Sequence, residues 1–310
     1  MAFEGELAAL AAAMCWASSA LFFTSAGERV GSMVVNLVRL LFGFGFLALT
    51  TAVTRGLPLP TDATAHAWLW LSLSGLVGFT FGDACLFRAF LLLGPRLATL
   101  LMSLAPPFTA LLGYLFLGET LSGLDLAGMA ITLAGIAMAV RARQPAAEVV
   151  ASRLDDHGEA ERADRRVKTL GVILAVLAAL GQAGGLVLSK HGMGAYDPLA
   201  ATEIRILAGF GGLAVVFGVT RRLPALRAGL KDRRGMRAVA VGAFFGSFLG
   251  VSLSLVSIQL TQTGVAASIM ATAPVLIIPL AIRFRQERIG PMAIVGAIVA
   301  VVGVALLFAA

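Results

Sequence analysis

The chain has 310 residues, 59% hydrophobic and 13% charged, with a mean hydropathy of +0.92, whereas an ordinary soluble domain carries about 25% charged residues. That composition excludes a water-soluble fold. The formal charge of +7 would hint at nucleic acid in a soluble chain. A membrane protein, however, gathers Lys and Arg in its cytoplasmic loops for another reason, and no nucleic-acid partner is expected.

A bilayer core of about 30 Å needs ~20 apolar residues of helix. Cutting the chain at charges and turn residues gives ten segments: 7–25, 32–54, 67–88, 96–117 and 122–140, then 169–189, 198–220, 237–259, 263–283 and 289–309. The fold class expected is an all-α polytopic membrane protein. Glu4 and Glu6 stand where a signal peptide has its basic residues, so the first span is read as part of the mature fold. Between spans five and six, Arg141 to Lys168 holds seven basic and six acidic residues. It reads as a charged cytoplasmic linker with too little apolar surface to fold alone. The expected division is therefore 1–143, linker 144–167, and 168–310.

The halves repeat. At an offset of 166, residues 39–58 match 205–224 at 12 of 20 positions, aligning Arg39 with Arg205 and Leu57-Pro58 with Leu223-Pro224. At an offset of 168, Gly78 falls on Gly246, Gly82 on Gly250, Met102 on Met270, Ala105-Pro106 on Ala273-Pro274, and Glu119 on Glu287. Five spans per repeat is an odd number, so the second copy must enter the membrane from the opposite side. Such inverted repeats characterise secondary transporters with a site between the halves.

Loops numbered from the N-terminus divide sharply by charge: odd loops carry 20 of the 24 Lys and Arg residues, and even loops only Arg55 and Lys190. The positive-inside rule then puts odd loops in the cytoplasm and both termini outside.

Several motifs have competing readings. Gly78-x-x-x-Gly82 and Gly246-x-x-x-Gly250 make flat stripes for close helix packing, or leave space for a ligand beside Phe79. Gly209-x-Gly211-x-x-Ala214 fits a dinucleotide pattern but follows no strand and is set aside. Pro106 and Pro274 fall mid-span, where each removes a bond to the carbonyl four residues back, at Met102 or Met270. Such breaks are tolerated beside a cavity and mark both prolines as expected kinks. Trp16 and its repeat mate Gln182 would face each other near the centre, with Thr272 adding polarity.

Charges inside spans are costly and are functional candidates. At ~1.5 Å per residue, Arg39 and Asp83 lie at equal depth, so Arg39 can pair with Asp83 or Glu287, and Arg205 with Glu119. Symmetry favours Arg39–Glu287 and Arg205–Glu119 as gating or structural pairs, which leaves Asp83 as an unpaired acid facing the cavity. Trp16, Phe79, Asp83, Met102, Gln182, Met270 and Thr272 form the expected substrate cavity.

The run from Ala105-Pro106 through Gly118-Glu119 to Gly128, repeated from Ala273-Pro274 through Glu287 to Gly296, resembles the EamA-like ten-helix branch of the drug/metabolite transporter superfamily. The resemblance implies a basket of ten helices with a central cavity and export or exchange of small metabolites. Such exporters are usually drawn with both ends in the cytoplasm, opposite to the charge count here. No P-loop is present for an ATP-driven pump. Cys15 and Cys85 have no metal-binding spacing, and His66, His157 and His191 do not converge with paired acids. No cofactor, metal or catalytic residue is expected. A non-transporting sensor or scaffold, or an intramembrane enzyme, is the alternative. The protein is expected to be a monomer in the cytoplasmic membrane with a small-molecule substrate.

Overall fold

The computed structural model describes residues 3–142, 158–276 and 291–309. All regular structure among them is helical. The first half begins with α1 (Glu4–Val30), α2 (Ser32–Arg55) and α3 (Ala65–Gly75). A π-helical segment, π1 (Leu76–Gly82), then leads into α4 (Asp83–Met102), followed by α5 (Ala105–Leu117) and α6 (Gly123–Ala142). The second half has α7 (Gly158–Met193), α8 (Pro198–Val219), the short α9 (Leu223–Lys231), α10 (Arg233–Ala243), π2 (Phe244–Gly250), α11 (Val251–Leu260), α12 (Thr263–Met270) and α13 (Pro291–Leu307).

Among the described residues, seven helices are long and apolar enough to cross a membrane, and Gly123–Ala139, Thr263–Leu276 and Pro291–Leu307 are shorter apolar helices. Leu49, Val53, Phe116, Val215 and Val219 stay exposed on the outer faces, where lipid rather than water suits them.

Two boundaries differ from the sequence reading. The expected loop between spans three and four is helical: α3, π1 and α4 form one rod from 65 to 102. This rod runs antiparallel along α7, with Trp70 against Gly192, Gly78 against Gly185 and Leu93 against Gly171. That packing holds the helix where hydropathy alone suggested a break. Of the expected linker 144–167, residues 144–157 lie outside the described residues, and 158–167 are the first turns of α7.

The helices that end the two repeats, α6 and α13, also pack antiparallel. A Cβ on Gly135 would stand 2.3 Å from the Ala300 nitrogen, and one on its repeat mate Gly303 2.4 Å from the Thr132 nitrogen. Only glycine admits this backbone approach, which substitutes for the hydrophobic drive that lipid does not supply.

Candidate functional site

Both π segments occupy equivalent places, seven residues each. The Asp83 N–H donates to the Gly78 carbonyl and the Val251 N–H to the Gly246 carbonyl, the five-residue spacing of a π turn. Such bulges shift the register of all later side chains and gather at functional sites. Here they aim Asp83 and Val251 at one central cavity. The glycines do serve packing as well: a Cβ on Gly181 would lie 2.9 Å from the Gly82 Cα, and one on Gly250 would lie 2.5 Å from Trp16 Nε1.

The cavity has a volume of about 320 Å³, the size of a small-molecule site. Its wall contains Trp16, Arg39, Phe79, Asp83, Met102, Pro106, Gln182, Met270 and Pro274, together with Ser103, Ala105, Thr109, Ile136, Leu186, Val251, Ala267 and Ala271. Several of these are repeat mates: Trp16 with Gln182, Asp83 with Val251, Met102 with Met270, Ser103 with Ala271, and Pro106 with Pro274. Thr272 is not in the wall. It is buried, and its hydroxyl donates to the Ile269 carbonyl at 2.6 Å, a local backbone bond common for Thr in membrane helices.

Helix breaks sit at the same place in each half. α4 ends at Met102 and α12 at Met270; after two intervening residues Ala105-Pro106 and Ala273-Pro274 begin new helical turns. Pro106 thus occupies the first turn of α5, where a missing N–H costs no helical bond.

The polar face is a chain of contacts. Arg39 Nη2 donates to Asp83 Oδ2, Arg39 Nε to Asn36 Oδ1 at 2.8 Å, and Gln182 Nε2 to Asp83 Oδ1 at 3.2 Å. Asp83 is therefore not the unpaired acid expected from symmetry, and the carboxylate that meets Arg39 among the described residues is Asp83. The π turn explains the difference, because it rotates Asp83 toward α2. Glu287 lies outside the described residues.

Arg205 and Glu119 do not pair. Lys190 Nζ stands 2.7 Å from Glu119 Oε1, while Glu119 Oε2 accepts from the Thr263 N–H at 2.8 Å and the Thr263 hydroxyl at 2.6 Å. Lys190 also donates to the Thr261 carbonyl at 2.6 Å, and the Thr261 hydroxyl to Glu6 Oε1 at 2.7 Å. Depth alone permitted Arg205, but α8 turns its guanidinium inward over the Phe79 ring, 5.0 Å from the centroid. The Lys190 network was missed, although it had a signal: Lys190 is one of only two basic residues in even loops. The other, Arg55, donates to Asp62 at 2.5 Å, and the Tyr196 hydroxyl donates to the same carboxylate at 2.8 Å. The Tyr196 hydrogen bond is the main cause holding the Asp62 carboxyl below its ordinary range, with Arg55 adding to it. Glu203, fully buried in α8 with Thr51 at 3.4 Å, was also missed, as one acid in an apolar run.

The EamA-like transporter family model matches residues 3–141 and again 169–309. The chain belongs to the EamA-like transporter family. A solved structure titled only "Crystal structure of protein" matches at 17% sequence identity with a TM-score of 0.71, covering 99% of this chain and 96% of its own; at that identity it supports the fold alone. No curated protein matches the chain. Family membership and the long apolar helices make this a multi-pass membrane protein of the drug/metabolite transporter kind.

Proposed function

We propose that this EamA-like protein is a secondary transporter that exports a small organic solute across the cytoplasmic membrane by alternating access. The observation that carries the reading is the central cavity walled by equivalent positions of both repeats. Alternating access needs a fixed site that the two halves can expose in turn, and repeat-equivalent walls supply it. The antiparallel packing of α6 on α13 supports an inverted arrangement of ten helices, divided 1–143 and 168–310 around the linker. Two inverted halves in one chain supply internally the symmetry a shorter relative obtains by dimerising, so the monomer is the working unit. Export follows from what the resemblance implies, and the Lys/Arg count supports termini on the outer side.

The substrate contacts assigned are Trp16, Phe79, Asp83, Met102, Gln182 and Met270, and the breaks at Pro106 and Pro274 are the hinges beside them. Purified protein in proteoliposomes, tested with a labelled panel of amino acids, organic acids and amines, should take up at least one solute with saturation and counterflow. Binding without counterflow across the panel would favour a sensor, and chemical conversion of a solute an enzyme.

A further inference from the structure

We propose that the transported solute carries an anionic group, drawn by the uncompensated charge of Arg205 beside the cavity; the proposal rests on the transporter reading above. Arg39 and Arg205 are repeat mates, and both guanidinium carbons lie over one ring, 5.8 and 5.0 Å from the Phe79 centroid. Phe79 is a cavity wall. Arg39 is neutralised by Asp83. At the place equivalent to Asp83 the second half has Val251, which lines the same cavity.

Arg205 is 4% exposed, its Nε has no hydrogen-bond partner, and it meets no carboxylate among the described residues. Glu203, two residues earlier on α8, turns instead to Thr51 on α2. Glu119, the partner that depth alone would have allowed, is held by Lys190. Among the described residues, the cavity wall and its backing thus hold two cations, Arg39 and Arg205, and one anion, Asp83. A buried charge without a partner is costly, and a solute anion in the cavity, across the Phe79 ring from Arg205, relieves part of that cost. A cationic solute would raise it. Arg205 is a positioning residue here, since Phe79 stands between it and the cavity.

The test reads the charge preference of the cavity without knowing the solute. In a background with Cys15→Ala and Cys85→Ala, Met102→Cys is titrated with an anionic (sulfonatoethyl) and a cationic (trimethylammonioethyl) methanethiosulfonate. Both rates are normalised to those on 2-mercaptoethanol. A unit charge about 10 Å away at an effective dielectric near 20 should favour the anionic reagent by about tenfold or more. Arg205→Gln should remove most of that preference, Arg205→Lys should keep it, and Asp83→Asn should increase it. A normalised ratio near one, a preference for the cation, or no response to Arg205→Gln overturns the proposal. Met270→Cys is run in parallel so that a poorly folded first variant does not decide the outcome, and no reaction at either thiol with either reagent also overturns it. Failure of all transport in liposomes would sink the transporter reading alone, because these rates require none.

Discussion

Lys190, at the end of α7, reaches 2.7 Å to Glu119, just beyond α5, and so ties the two repeats together at the even-loop end. Thr263, Thr261 and Glu6 extend the tie to α12, α11 and α1. In the alternating-access reading proposed above, this network is the candidate gate at the even-loop end. The two side chains are 25% and 12% exposed, so their coupling should lie between surface and buried values, about 1 to 2 kcal/mol. Lys190→Met and Glu119→Gln should each speed opening yet lower thermal stability, and the double variant should lose less than the sum. Additive losses in a thermal-unfolding cycle would remove the gate.

Pro106 and Pro274 begin new helical turns after the breaks at 103–104 and 271–272. An alanine at 274 could donate to the Met270 carbonyl four residues back and let the helix run through, whereas at the other break Pro106 is followed by Pro107 and both must be replaced to give the same result. The double replacement Pro106→Ala with Pro107→Ala, and Pro274→Ala alone, should therefore slow transport severalfold while shifting stability by no more than about 1 kcal/mol. Unchanged turnover in both variants would reduce the prolines to packing.

The repeat was legible in the sequence because glycine, proline and methionine recur at fixed offsets, and six of the seven residues expected in the cavity line it, Thr272 being the exception; the boundary between the third and fourth spans was not legible. Nor were the ion pairs. Symmetry argued for Arg39 with Glu287, but side-chain direction in a helix depends on register, and the π turn before Asp83 changes that register without a residue type that signals it. Gly78 and Gly82 are the partial clue, read as packing or as ligand space and not as a change of register. Lys190 escaped because it was assigned to a loop, whereas α7 continues through it.

Asp62 offers a pH test outside the membrane-spanning helices. Its carboxyl is held below its ordinary value first by the Tyr196 hydroxyl and then by Arg55. A lowered folded-state pKa means that this stabilisation is present above the unfolded pKa and is lost as pH falls through the folded one. Thermal stability of the wild type should thus begin to fall as pH drops below about 4, the ordinary carboxylate value, and Asp62→Asn should flatten that part of the profile. An unchanged profile in Asp62→Asn would mean that the Arg55–Tyr196 cluster does not bear on folding.

The Arg39–Asp83–Gln182 contact decides whether the polar cavity wall is one unit. Asp83 accepts from both Arg39 and Gln182, and Arg39 also reaches Asn36. Arg39 and Asp83 side chains are 16% and 9% exposed, and removing one partner leaves the other charge stranded. Asp83→Asn and Arg39→Met should each cost about 2 to 3 kcal/mol, somewhat below a fully buried pair because both side chains keep some exposure to the cavity. The double variant should recover part of that stability, since no lone charge remains, but not transport. Gln182→Leu removes only a neutral donor, so it should cost about 1 kcal/mol and weaken apparent solute affinity more than turnover. Additive stability losses for Arg39 and Asp83, with coupling found between Arg39 and Glu287 instead, would restore the symmetric pairing. If Gln182→Leu left affinity unchanged while Asp83→Asn abolished it, the solute would be meeting the charge pair and not the amide.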